Sequence, residues 1–209
     1  MSRDGDVRRI VEGLREAALA IKPFAPGDVA YELKAVRDDP VTAADEAADR
    51  VLREILPQVG EGWLSEESVD DPIRLECDRV WVVDPIDGTR EFIQGVPEWC
   101  ISIGLVEGGV PVAGGIFNPA TDELVVGSVE GGVSLNGRSV AVTEPSPQGK
   151  IDVLASRSEI RRGEWDRFED SRLTIRPCGS VAYKLGLVAA GLSDATWTLV
   201  PKSEWDVAA

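Results

Sequence analysis

Between Val80 and Ile93 the chain reads Val-Trp-Val-Val-Asp-Pro-Ile-Asp-Gly-Thr-Arg-Glu-Phe-Ile, and no other stretch restricts the fold as strongly. The apolar run from Val80 to Val83 has the length and β-branched content of a buried strand. It ends in Asp84, a second carboxylate follows at Asp87, and Gly88-Thr89 comes directly after. Pro85 has no N–H for a ladder and fixes its own φ, so the strand is expected to stop there. Gly88 lets a ligand approach the backbone closely, and Thr89 is a good N-cap for a following helix. Carboxylates beside free backbone N–H groups can hold a hard cation and a phosphate together. The plainer reading is a strand ending in a polar turn, built from the same residue types.

Composition narrows the chemistry. With 209 residues, 43% hydrophobic and 28% charged, the chain can bury a sizeable core as one large domain or two small ones. A net charge of −15 with no basic stripe argues against binding a nucleic-acid polymer. No apolar run reaches the length of a membrane span, and no signal-peptide core follows Met1. Cys77, Cys100 and Cys178 are widely spaced with no CxxC, which suits free thiols in a reducing cytoplasm better than disulfides or zinc. Histidine is absent, which removes His-based triads, phosphohistidine chemistry and His-ligated metals. Catalysis must rest on carboxylates, hydroxyls, Lys or a bound metal.

Periodicity supplies the element order. Val7, Ile10, Val11, Leu14, Ala17, Ala18 and Ile21 recur at helical spacing before Pro23. A polar loop with Lys34, Arg37, Asp38, Asp39 and Pro40 follows. Thr42 then opens a second amphipathic helix, which runs through Ile55 and stops near Pro57. Trp63-Leu64 reads as a short strand entering Glu66-Glu67. Trp99 to Val106, Val110 to Phe117, Glu123 to Val129 and Gly132 to Val142 read as an antiparallel meander with Gly-Gly, Asn-Pro and Asn-Gly turns.

The segment Glu144 to Gly149 is the expected junction between an N-terminal α+β part (residues 1–143) and a C-terminal α/β part (residues 150–209). The latter alternates strand (Ile151 to Ala155), helix (about Ser158 to Phe168), strand (Leu173 to Ile175), helix (Ser180 to Ala190) and strand (Ala195 to Leu199). Asp206 sits where a helix should begin, and little chain follows it. The C-terminal part therefore reads as truncated, or its last element as unusually short.

Four acidic positions stand out together: Asp45 in Thr42-Ala-Ala-Asp, Glu66 in Ser65-Glu-Glu-Ser68, the Asp84/Asp87 pair, and Asp206 in Trp205-Asp-Val-Ala-Ala. With Thr89 they resemble, over nearly the whole chain, the magnesium-dependent, lithium-sensitive phosphatases of the inositol monophosphatase family. The resemblance implies a layered α-β-α-β-α sandwich of the sugar-phosphatase type. It implies that Glu66, Asp84 and the Ile86 carbonyl oxygen hold one Mg²⁺ and that Asp84, Asp87 and Asp206 hold another, with two or three ions in all. Thr89, supported by Asp45 and Glu66, would orient the attacking water. The N–H groups of Asp87, Gly88 and Thr89, with Gly179 and Ser180, would bind substrate. The implied partner is a small phosphorylated metabolite, with neither nucleic acid nor membrane, in a cytoplasmic protein that a homodimer would suit.

Other readings stay beside this one. Asp45 and Asp206 suit first-turn or capping acids, Glu66-Glu67 a solvated edge, and Thr42 a helix cap. Glu67 suits a supporting role, the six Trp are expected in the core, and Lys34 is expected exposed on its loop. Haloacid-dehalogenase phosphatases also carry an Asp-x-Asp-Gly-Thr motif after a strand, with the first Asp as nucleophile, but here two residues separate the acids. A non-catalytic metal- or phosphate-binding protein is the alternative outside enzymology.

Within the family, Thr89-Arg90-Glu91-Phe92-Ile93 and Ser156-Arg157-Ser158 resemble the branch that hydrolyses 3′-phosphoadenosine 5′-phosphate, although Glu159 replaces that branch's His. Inositol-type members usually place an acid where Thr198-Leu199 stand. Inositol monophosphatase or another sugar phosphatase remains the alternative. No basic pocket for a second phosphate is evident in the sequence.

Overall fold

A computed structural model describes residues 3–34, 40–144, 148–168 and 172–209. Arg37, Asp38 and Asp39 of the polar loop and residues 145–147 of the expected junction lie outside the described residues. Helix α1 (Asp4–Ile21) is followed by an antiparallel pair of short strands, β1 (Tyr31–Leu33) and β2 (Pro40–Thr42), and by helix α2 (Ala43–Ile55). Next come β3 (Gly62–Ser65), β4 (Arg79–Asp87), the short helix α3 (Thr89–Ile93), β5 (Cys100–Glu107), β6 (Val110–Asn118), β7 (Glu123–Ser128), β8 (Gly132–Leu135) and β9 (Arg138–Val140). Strands β3 to β9 form one seven-stranded sheet in sequence order.

Strand β10 (Ile151–Ser156), helix α4 (Arg157–Arg161), β11 (Leu173–Cys178), helix α5 (Val181–Ala189) and β12 (Ala195–Thr196) complete the chain with a three-stranded parallel sheet ordered β11-β10-β12.

Burial explains the layering. The stripe Ile10, Leu14, Ala17 and Ile21 of α1 and Ala44, Ala48 and Leu52 of α2 pack with Trp81, Val83, Ile101 and Ile103 of the large sheet. Each buried Leu or Ile contributes about 1.5–3 kcal/mol relative to exposure. On the sheet's other face, α5 lies between Ile116 and Val125 of the large sheet and Leu154 and Cys178 of the small one. Trp165, Ile160 and Phe168 then cover the outer face of β10 at Val153 and Ala155. The order helices, large sheet, α5, small sheet, α4 with its following turns is the α-β-α-β-α sandwich implied by the resemblance.

Several local expectations change. Strand β4 does not stop at Pro85 but continues to Asp87 through a bulge: Asp84 pairs with Ser102 and Asp87 with Cys100, so Pro85 and Ile86 oppose Ile101 alone. A bulge tolerates the missing Pro N–H. The N-cap of α3 is Gly88, not Thr89. The sheet is mixed rather than purely antiparallel, because β3 runs parallel to β4. Asn136-Gly137, both at positive φ, splits Gly132–Val142 into the hairpin β8-β9.

In the C-terminal part, the helix expected to reach Phe168 ends at Arg161 and resumes as a 3₁₀ turn at Asp166–Phe168, after Gly163 at φ 72°. Strand β11 runs on to Cys178, whereas β12 pairs only at Ala195 and Thr196. Around Asp206 the chain makes a 3₁₀ turn, Glu204–Asp206, in which the Asp206 carboxylate accepts the Ser203 N–H at 2.9 Å.

Candidate active site

Asp84 arrives at the centre of the molecule because its strand is apolar on both sides, and the bulge turns the next residues away from the ladder. Its Oδ1 accepts the Ile86 N–H at 3.1 Å. Its Oδ2 is buried with no hydrogen-bond partner. One carboxylate oxygen each from Glu66, Asp84 and Asp206 lies within 4.8 Å of the others. Glu66 comes from the end of β3, Asp84 from β4, and Asp206 from the 3₁₀ turn that Ser102 holds through the Trp205 carbonyl at 3.3 Å. Close approach matters here too: a Cβ on Gly104 would fall 2.4 Å from the Ala208 carbonyl oxygen, so that glycine admits the C-terminal segment onto the sheet.

The electrostatics are those of crowded, buried carboxylates. Burial pushes Asp84 well above the ordinary carboxylate range, and Glu66, Asp87 and Asp206 add to the rise. Asp206 is pushed up to about 6 by burial and then by Asp87. Like-charged carboxylates this close cannot all stay ionised in a dry site unless a cation joins them. Oxygen-only donors with an orphaned oxygen fit Mg²⁺.

Asp87 stands beside this trio, outside the group whose oxygens converge. Its Oδ2 accepts the Ser180 hydroxyl at 2.7 Å and the Ala182 N–H at 2.6 Å. Burial raises Asp87, and those two bonds together with the charge of Lys184 oppose the rise. Ser180 caps α5 at φ 51°, a conformation that side chains rarely adopt, and its oxygen also accepts the Tyr183 N–H. Gly179 donates its N–H to Glu98 at 2.7 Å. Gly179 and Ser180 thus line the cavity with their polar groups already engaged.

Gly88 sits at φ 97°, and a Cβ there would meet the Glu98 carbonyl oxygen at 3.0 Å and Trp99 at 3.1 Å. The turn it makes puts the Thr89 hydroxyl 3.2 Å from Asp45 Oδ1 and 3.0 Å from the Ile86 carbonyl oxygen. Asp45 is fully buried at the first turn of α2, where its Oδ2 accepts the N–H and the hydroxyl of Thr42 at 2.8 and 2.6 Å. Burial raises its pKa against those bonds. Thr42 is thus a helix cap and also the anchor of Asp45.

Lys34 falls elsewhere than expected, and other residues went unnoticed. Lys34 is not free on a loop: its ammonium bonds Glu66 at 2.8 Å and Glu67 at 2.7 Å. Glu67 stands beside Glu66 in the supporting place expected of it, and burial pushes it up to about 7 against that ion pair. Glu159 does not face the cavity. It is buried and accepts the Trp165 indole N–H, the Thr198 hydroxyl and the Leu199 N–H at 2.9, 2.9 and 3.0 Å. Lys184 lies buried under the cavity floor, donating to the carbonyls of Cys178, Gly179 and Ser180, one helical turn beyond Ser180. Arg157 forms a two-pronged ion pair with Glu98.

These groups surround one cavity of about 530 Å³, in which Glu66, Asp87, Thr89, Ser180, Arg161 and Lys202 all take part. No helix among the described residues is long and apolar enough to cross a membrane.

Comparison with known proteins agrees with this geometry. A family model described as the inositol monophosphatase family matches residues 8–209. An inositol-1-monophosphatase of Rhizobium meliloti is 33% identical over 180 residues, which span 82% of this chain and 67% of the relative. The extragenic suppressor protein SuhB of Bartonella henselae superposes with a TM-score of 0.85 at 26% identity, covering 98% of this chain and 82% of that one. CysQ of Bacteroides thetaiotaomicron, a bacterial member of the same family, superposes at 0.76 with 25% identity over 98% and 83% of the two chains. The chain belongs to the inositol monophosphatase family of metal-dependent phosphoric monoester hydrolases.

Proposed function

We propose that this chain hydrolyses the 3′-phosphate of 3′-phosphoadenosine 5′-phosphate by direct attack of water, with Mg²⁺ held by Glu66, Asp84, Asp87, Asp206 and the Ile86 carbonyl oxygen. The observation that carries the reaction class is the convergence of Glu66, Asp84 and Asp206 around an unpartnered carboxylate oxygen, beside the Gly88-Thr89 turn. When bound, Mg²⁺ polarises the phosphate, acidifies a ligated water and stabilises the departing oxygen.

Thr89 has one hydroxyl proton. Given to Asp45, it leaves the oxygen's lone pairs free to accept a hydrogen bond from the attacking water and fix its line of approach. Asp45 holds Thr89 in that state because its other oxygen is saturated by Thr42. The N–H groups of Asp87, Gly88 and Thr89 receive the phosphate, and Gly179 and Ser180 shape the opposing wall. A P–O bond forms to water, the ester P–O bond breaks, and the departing oxygen takes up, overall, the proton that the attacking water gives up. Asp84 is no covalent nucleophile in this scheme. It is 1% exposed, and one of its oxygens is committed to the Ile86 N–H. Li⁺, a small hard cation, would compete for the same carboxylates and inhibit.

The substrate assignment rests on the absent acid at Thr198-Leu199. Glu159, the nearest carboxylate to that segment, is consumed by Trp165, Thr198 and Leu199 and offers a sugar ring nothing. Inositol 1-phosphate is the second reading, favoured by what the curated relative is called. Measuring kcat/KM for both at matched Mg²⁺ separates them. The nucleotide is expected to lead by about tenfold or more, and an equal lead for the inositol ester would overturn the assignment while leaving the reaction class intact.

A further inference from the structure

A buried carboxylate that the proposed reaction does not use stands behind the cavity. Glu159, in the five-residue helix α4, is 1% exposed. Its Oε2 accepts the Trp165 indole N–H, and its Oε1 accepts both the Thr198 hydroxyl and the Leu199 N–H. Burial pushes the Glu159 carboxyl up, but the bonds from Trp165, Leu199 and Thr198 outweigh it and hold the group below the ordinary carboxylate range. An ionised group is costly to bury, and an apolar side chain of similar size often serves stability as well. What three convergent donors add is a fixed direction.

The direction matters because Glu159 joins two parts of the cavity wall. Arg157, Ser158 and Arg161 of α4 line the cavity, and so do Pro201, Lys202 and Ser203. The latter belong to the irregular segment 197–203, which leaves β12 and enters the 3₁₀ turn that carries Asp206. Among the described residues, the hydrogen bonds that tie residues 198–200 to another element both end on Glu159 Oε1. The Trp165 and Trp197 rings, 4.8 Å apart between centroids, back the same joint. The metal end of the segment has anchors of its own, from Ser102 to the Trp205 carbonyl and from the Ser203 N–H to Asp206.

We propose that Glu159 is a specificity-determining positioning residue: by clasping segment 197–203 to α4, it sets the width of the cavity where the leaving alcohol of the substrate lies. The proposal rests on the phosphomonoesterase reading and deepens it, naming what in that site selects the leaving group. Glu159 itself touches no substrate. The cavity, about 530 Å³, is in the range that encloses a ligand much larger than a phosphate ion. Without the clasp, each large substrate must order the segment for itself, and that cost appears in KM. A small ester, held at the separately anchored metal end, does not meet it.

The test measures kcat and KM with Mg²⁺ for 3′-phosphoadenosine 5′-phosphate, inositol 1-phosphate and glycerol 2-phosphate, the last having the smallest alcohol. Glu159→Ala removes the clasp, and Thr198→Val removes one of its donors from a half-buried position with little risk to folding. Trp165→Phe disturbs the buried cluster but leaves both bonds to Glu159 Oε1. On the better of the two large esters, Glu159→Ala is expected to lose about tenfold or more in kcat/KM, mainly through KM, and Thr198→Val about threefold. Both are expected to hydrolyse glycerol 2-phosphate within about twofold of wild type, which also shows a folded protein with a whole metal site. Trp165→Phe is expected to lower Tm and leave the ratio between large and small esters unchanged.

An equal loss on large and small esters in Glu159→Ala, or a ratio that Trp165→Phe shifts as far, would overturn the proposal and leave Glu159 a purely structural residue. If Glu159→Ala fails to fold, Thr198→Val decides, and an unchanged ratio there would overturn it too. Should the wild type hydrolyse none of the three esters, the phosphomonoesterase reading fails by itself, and calorimetry decides the clasp. Adenosine 5′-phosphate is then expected to bind Glu159→Ala about tenfold more weakly than wild type, with inorganic phosphate changed by less than about twofold. Equal changes for the two ligands, or binding of neither, would overturn the clasp.

Discussion

Asp84 Oδ2 is cut off from water without a donor, among carboxylates of its own sign. A buried charge left unpaired costs several kcal/mol, which this residue imposes on the metal-free fold. Asp84→Asn removes the charge at constant shape, so without divalent ions it is expected to raise Tm by about 2–6 °C, equivalent to 1–2 kcal/mol in a chain of this size. The same variant is expected to lose the rise in Tm that Mg²⁺ gives the wild type. Differential scanning fluorimetry with and without Mg²⁺ checks both, and an Asp84→Asn protein less stable than wild type in chelator would contradict the account. At this scale the sequence was legible where chemistry and local spacing coincide, as in Asp84, Asp87 and Gly88-Thr89. It was silent where a partner is distant: Lys34 meets Glu66 across 32 positions, and Glu159 meets Leu199 across 40. Local pattern holds no record of such pairings.

Helix α2 shows how one element serves fold and site together. Thr42 caps it in a reciprocal box with Asp45, and Asp45 is also the residue that Thr89 leans on. Thr42→Ala is expected to cost about 1 kcal/mol and about 2–4 °C in Tm, and to lower kcat because Asp45 loses the donor that fixes it. Thr42→Ser keeps the hydroxyl and should recover both. Identical Tm and kcat for the Ala and Ser variants would show that the cap does not position Asp45. The helices were readable because apolar residues recur at their period, and the meander because Gly-Gly and Asn-Gly mark its turns. The bulge in β4 was not. Pro85 signals a broken ladder, but whether a strand ends or bulges depends on the neighbour strand's register, here Ser102 and Cys100 on β5. The parallel placement of β3 likewise follows from a crossover through residues 66–78, not from its own four residues.

At the scale of the whole molecule, an ion network ties α1 to the large sheet far from the cavity. Glu61 accepts from Arg9, Arg79 and the Trp81 indole N–H, and Arg79 reaches Asp6 and Glu107. Burial raises Glu61, but bonds from Arg9, Trp81 and Arg79 outweigh it and hold the carboxyl down at about 2. Its folded pKa lies below its unfolded one, so its stabilisation is complete above about pH 4.5 and disappears as pH falls toward 2. Glu61→Gln is expected to be less stable than wild type at pH 7 by about 2 kcal/mol, with the gap closing through that window in urea melts. A gap independent of pH would contradict the network's role. The layered sandwich was legible as an element order, whereas the cavity that brings Glu66, Asp87 and Thr89 opposite Ser180, Arg161 and Lys202 exists only once the small sheet is packed beside the large one. The central claim is that the Glu66, Asp84 and Asp206 carboxylates build a magnesium site that hydrolyses phosphate monoesters. Its most direct test is phosphate release as a function of Mg²⁺ for wild type and Asp84→Asn. The account predicts release that requires Mg²⁺ and falls by about a thousandfold or more in the variant; release without divalent metal, or a variant within about threefold of wild type at saturating Mg²⁺, would contradict it.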